Sequence, residues 1–187
     1  AHSVRVVNER INVLCIEGSA RWEFRYLRAM LKRDPRINAT FIATRAQPEL
    51  AQNSSEYIAE FPEDREEAFS YDLVILGDVD ASFFSAEAFL RLEELVKERG
   101  GSLLMLCGSR FAPASYAGTP VERMLPVEFD PEAEWEDIDD SVYPVLTPEG
   151  RSSLVMTLEN EQDENDLVWS RVAPLDRIPP LLAPRPG

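Results

Sequence analysis

The chain is poor in the side chains that carry most proton transfer and soft-metal binding. Among 187 residues there is one histidine, His2, and there are two cysteines, Cys15 and Cys107. No Cys-x-x-Cys pair and no Cys/His spacing is present, so neither a zinc site nor a disulfide framework is expected, and each thiol should be a buried free one. No apolar run approaches the roughly 18 to 20 residues that cross a bilayer, and the polar start AHSVRVVNER lacks the apolar stretch of a signal peptide. The segment itself is therefore expected to be soluble and not inserted in a membrane. Positive charge is also scarce: 19 Lys and Arg face 34 Asp and Glu, for a formal charge of −15. Such a surface repels nucleic acid and anionic lipid, which excludes both as partners.

The charge is unevenly placed. Residues 1–129 hold 20 acids and 15 bases, whereas 130–187 hold 14 acids and 4 bases. Hydrophobic residues make up 44% of the chain, enough for one ordinary domain with a real core. The expected division is a flexible N-terminal segment (1–10), an α/β core (11–129), and an acidic strand and loop extension with a Pro-rich tail (130–187) belonging to the same domain.

Within 11–129, apolar runs alternate with amphipathic ones. INVLCIEG (11–18), INATFIAT (37–44), YDLVILGD (71–78) and the run leading to Cys107 are short and continuously apolar, the pattern of strands covered on both faces. SARWEFRYLRAMLKRD predicts a helix begun near Ser19 and stopped at Asp34-Pro35. Its apolar stripe is broad, with Trp22, Tyr26 and Met30 in one row and Phe24, Leu27 and Leu31 in another. SAEAFLRLEELVKERG predicts a second helix, capped by Ser85 and ended by Gly100. Strands alternating with helices imply a mostly parallel sheet with helices on both faces. The segment 45–70 reads as an irregular loop with short helical turns.

In such sheets ligands gather beyond the carboxyl ends of the strands. Three ends carry polar groups here: Glu17-Gly18-Ser19, Gly77-Asp78 and Cys107-Gly108-Ser109. They should lie near one another, making Glu17, Ser19, Arg21, Asp78, Gly108 and Ser109 the ligand-binding candidates. Cys107 is the candidate nucleophile. A nucleophile elbow needs small residues two before and two after it, and Met105 fails that test. A thiol also needs a base, usually His, and the only histidine, His2, lies at what should be a loose terminus. Arg21 and Arg25 could complement an anion at the first helix or pair with Glu23 or Asp78. Glu17, Asp78 and Asp80 could hold a hard cation, but capping is the simpler account of Asp78 and Asp80, and no third ligand is fixed by spacing. No metal and no cofactor is expected.

Taken together, INVLCIEGSARWEFRYLRAMLKRD, YDLVILGDV and GGSLLMLCGSRFAPASYAGTPVERMLPV resemble the class I glutamine amidotransferase-like domains of large bacterial, notably planctomycete-type, membrane proteins. Those domains often accompany von Willebrand A-type modules. The resemblance covers about residues 10–187 and is most specific in EGSARWEFRYL and YAGTP. It implies a flavodoxin-like three-layer α/β sandwich within a membrane-anchored parent, and a chain truncated before a last strand. In the family a GxCxG turn holds the nucleophile, with His and Glu late in the chain. Here Cys107 falls near that position, Met105 and Ser109 replace the glycines, and no His follows. The implied function is a non-catalytic amidotransferase-like module that recognises other domains, protein partners or a ligand. The alternative is a Cys107-dependent glutamine amidohydrolase or amidotransferase whose base comes from outside this segment.

Overall fold

A computed structural model of the chain describes residues 10–45 and 54–185. Two compact units are formed, one from the residues up to Glu132 together with those from Leu182 onward, the other from Ala133–Leu181.

The first unit is an α/β fold on a four-stranded parallel sheet. Strands β1 (Ile11–Glu17), β2 (Ile37–Ala43), β3 (Leu73–Leu76) and β4 (Ser102–Met105) lie in the order β2-β1-β3-β4. That is the order of a flavodoxin-like open sheet, which reverses between β1 and β3. Register pairs Cys15 with Phe41 on one side and Ile75 on the other, and Ile75 with Leu104. Because alternate residues face opposite ways, β1 feeds two cores. Val13 and Cys15 join Phe41, Ile75 and Leu31 of helix α1 (Trp22–Arg33). Leu14 and Ile16 join Val74, Leu76 and, from helix α2 (Ala86–Glu94) and the turn after it, Ala88, Leu92 and Leu95. Helices therefore cover both faces, as the continuously apolar strands predict.

Helix α2 carries its predicted signals. Ser85 Oγ accepts from the Ala88 amide at 3.0 Å, and after a π-helical turn over Leu95–Arg99 the chain leaves through Gly100 at φ +80°, a left-handed conformation that favours glycine. Helix α1 departs from expectation at two points. It starts at Trp22 with Arg21, not Ser19, in the capping position, and no side chain caps it. Its buried side is Phe24, Leu27 and Leu31, while Trp22, Tyr26 and Met30 point to solvent. The reason lies in the arginines: in projection down the axis Arg33 falls between Trp22 and Tyr26, with Arg25 beside them, so burying that row would bury guanidinium groups.

In the loop region, residues 46–53 lie outside the described residues; beyond them Tyr57 bridges to Phe41 and a single helical turn forms over Arg65–Ala68. Strand β5 (Val127–Phe129) pairs with β8 (Leu181–Pro184).

The second unit has a different physical character. An antiparallel pair, β6 (Glu136–Val142) with β7 (Leu175–Ile178), is joined by a helical segment that includes Gln162–Trp169. Among its described residues the fully buried side chain is Asn165, not an apolar one. Asn165 Oδ1 accepts from the Leu158 and Glu159 amides at 2.7 and 3.2 Å, and Trp169 Nε1 donates to the Met156 carbonyl at 2.9 Å. Polar bonds and the Arg151–Asp166 ion pair hold this unit, and no buried apolar cluster is found among its described residues.

Candidate functional site

The parallel sheet brings the three polar strand ends together, as the topology requires. Glu17, the last residue of β1, is buried with its carboxylate under the start of α1. Its Oε1 accepts from the amides of Gly18 (2.9 Å), Ser19 (3.2 Å) and Asp78 (3.2 Å) and from Arg21 Nε (3.3 Å), while Oε2 accepts from Arg21 Nη2 (2.9 Å). Arg21 then reaches across to the β4 end, donating from Nη1 to the Cys107 carbonyl at 3.0 Å and from Nη2 to the Leu106 carbonyl at 3.4 Å. One carboxylate and one guanidinium thus tie the ends of β1, β3 and β4 to the first turn of α1.

Asp78, at the end of β3, is buried and performs a second closure. Its Oδ1 accepts from the Phe111 and Ala112 amides at 2.8 and 2.9 Å, and Oδ2 from Arg110 at 3.2 Å. The loop that follows Cys107 therefore folds around this carboxylate. Such close packing needs glycine on each side: a Cβ on Gly18 would overlap the Asp78 carbonyl, one on Gly108 the Asp78 carboxylate, and one on Gly77 the Glu17 carboxylate. Asp80 caps locally, accepting from Ser82 at 2.9 Å.

Backbone amides at a helix start ordinarily recruit an anion. Here the anion is the chain's own Glu17, and the amides of Gly18 and Ser19 are already engaged. Arg21 is likewise engaged; burial works against its charge, but the bond to Glu17 and the nearby charges of Glu17, Asp78 and Glu23 hold its pKa above the ordinary value. What remains open beside Ser19 is a recess of about 130 Å³ that Glu17, Gly18, Phe24, Ala43 and Arg45 also line. Ser109 is exposed and Gly108 is packed on Asp78.

Cys107 lies two residues past the end of β4 and is half-buried, unlike Cys15, which is fully buried within β1. Burial pushes the Cys107 thiol up; a hydrogen bond from its own backbone amide opposes this, the Asp78 carboxylate adds to it, and the charge of Arg21 opposes it. Cys15 is pushed up to about 12, by burial and then by Glu17. Neither thiol has the electropositive setting that makes a thiolate at neutral pH. The one histidine, His2, lies outside the described residues. Among the described residues no group of three His, Cys, Asp or Glu side chains is placed to hold a metal ion, and no helix is long and apolar enough to cross a membrane.

Two features escaped sequence reasoning. The pairing of Glu17 with Arg21 spans a strand-to-helix turn, where no helical spacing rule applies. Tyr116, in the YAGTP block, is fully buried among Phe84 and Phe89, and its hydroxyl has no partner among the described residues. Burial, with Asp80 and Asp78 nearby, pushes its pKa up.

Comparison of the chain with protein-family models, curated proteins and solved structures finds no match to any of them.

Proposed function

We propose that the chain is a non-catalytic recognition module on an amidotransferase-like α/β scaffold, serving a larger bacterial protein through contacts with other domains or protein partners. The observation that carries this is the closure of the strand ends: both buried carboxylates and Arg21 are engaged by bonds to the chain itself. A catalytic centre at this position would keep donors free for a developing oxyanion and a base free for the thiol. Instead the Gly18 and Ser19 amides face Glu17, and burial raises the Cys107 thiol above its ordinary pKa. The resemblance in EGSARWEFRYL and YAGTP supports the scaffold, and the departures at Met105 and Ser109 support the loss of chemistry.

The test is glutamine hydrolysis by the pure protein, followed as ammonia release, with Cys107→Ser as control. No release above that of the variant is expected. Release that disappears in Cys107→Ser would establish the amidohydrolase alternative.

A further inference from the structure

Helix α1 exposes three large apolar side chains on successive turns: Trp22 is 67% exposed, Tyr26 69% and Met30 50%. The Trp22 and Tyr26 rings stack at 6.4 Å, and the Arg25 guanidinium lies 5.4 Å over Trp22. A cavity of about 430 Å³ opens beside the first turn, lined by Arg21, Trp22, Arg25, Arg28 and Tyr57 among others. Arg28 Nε is buried there without an acceptor. The helix has four bases and one acid in a chain whose net charge is −15. Lys32 and Arg28 are paired with Glu56, whereas Arg25 and Arg33 have no ion-pair partner among the described residues. Exposed Trp, Tyr and Arg in one patch are the composition of a binding hot spot.

The opposite half of such an interface is present in the same chain. Residues 133–181 hold 12 acids and 3 bases. This unit buries no apolar side chain among its described residues, yet leaves Leu154 90% and Val155 84% exposed, with Leu158 and Leu167 also open to solvent. Glu159, Glu161, Asp163 and Glu164, all exposed, lie between Leu158 and Leu167 in the chain. So small a unit without an apolar core gains stability by covering those side chains. Pairing α1 with α1 of a second molecule would instead set Arg25 and Arg33 against their own copies.

We propose that the chain self-associates, the acidic unit of one copy docking its Leu154–Leu158 stretch and flanking carboxylates onto the Trp22–Tyr26–Met30 face of another copy. Each copy offers both surfaces, so the contact is heterologous and builds a ring or an open chain of subunits. At physiological ionic strength the long-range repulsion between acidic molecules is screened beyond about 8 Å, while contacting charges are screened less. The proposal is independent of the chemistry at Cys107, since an active amidohydrolase could assemble in the same way.

The test uses analytical ultracentrifugation of the full chain and two charge-reversed variants, Arg25→Glu/Arg33→Glu and Glu159→Lys/Glu161→Lys, all at exposed positions and checked for unchanged melting. The unmodified chain should associate as concentration rises, and each variant alone should do so more than about tenfold more weakly, because like charges then face each other. An equimolar mixture of the two variants should recover association, since each supplies the complement the other lacks. Tyr26→Ser is the uncharged check and should weaken association without altering the fold. A chain that stays monomeric at every concentration overturns the proposal, as does a mixture that fails to recover. Association unaffected by Arg25→Glu/Arg33→Glu would also overturn it, by placing the contact on another surface.

Discussion

Replacing Glu17 by alanine tests whether the strand ends are held by their own charges. The variant leaves Arg21, only a fifth exposed, without its carboxylate, and leaves the amides of Gly18, Ser19 and Asp78 without an acceptor. Breaking one side of a buried ion pair costs about 3–5 kcal/mol. Arg21 keeps the Cys107 and Leu106 carbonyls and some contact with water, so the lower end, about 3 kcal/mol, is expected. For a chain of this size that lowers the melting temperature by about 6–12 °C. Urea unfolding should show the loss as a lower midpoint with an unchanged slope, followed through alkylation of Cys15, whose thiol lies within β1. Arg21→Ala should cost less, about 1.5–3 kcal/mol, because Glu17 retains three backbone donors. Acetate in the buffer should restore part of the stability of Glu17→Ala by binding the vacated amides, and should do nothing for the unmodified chain. A cost below about 0.5 kcal/mol, the range of ordinary surface changes, would refute the clamp.

Three further outcomes follow from the same geometry. Asp78→Ala orphans three amides of the loop after Cys107 and should cost about 3 kcal/mol by chemical unfolding, with local hydrogen exchange at Phe111 and Ala112 rising first. Leu31→Ala should cost about 2–5 kcal/mol, whereas Trp22→Ala and Met30→Ala should stay within about 0.5 kcal/mol in the dilute monomer, which fixes the inward face of α1 by thermal melting. The Cys15 thiol is pushed from 9.0 up to about 12 by folding, so its contribution to stability is complete below pH 9.0 and is lost as pH climbs toward 12. Stability just above pH 9.0 should therefore fall more steeply in the unmodified chain than in Cys15→Ala, by up to about 1.4 kcal/mol per pH unit, as measured by urea midpoints.

The sheet was legible because strands covered on both faces are largely apolar, as in β1 and β3, whereas β2, with Asn38 exposed, and β4, with Leu104 44% exposed, are covered less completely. Helix α2 was legible because Ser85 and Gly100 carry conformational reasons for a start and a stop. The start of α1 was not, because Ser19 gives its amide to Glu17 and leaves the capping position to Arg21. The burial of its faces could have been read from charge: Arg33 interrupts the row of Trp22 and Tyr26, while Phe24, Leu27 and Leu31 form a row free of charge. Reading both rows as one broad stripe took in a row that faces solvent. At the site, the convergence of Glu17, Asp78 and Cys107 follows from the parallel topology, and their chemistry does not. Whether a carboxylate waits for a ligand or holds a loop depends on amides 34 residues away, as with Asp78 and Ala112, and local sequence does not encode such a pairing.

The most direct measurement is the alkylation rate of Cys107 in the native protein as a function of pH. A thiol raised by burial beside Asp78 should react with iodoacetamide more slowly than free cysteine, and its rate should still be climbing at pH 9.0, the ordinary value for the group. A rate that levels off near neutral pH would show a thiolate already formed, and with it a nucleophile that the closed strand ends do not permit.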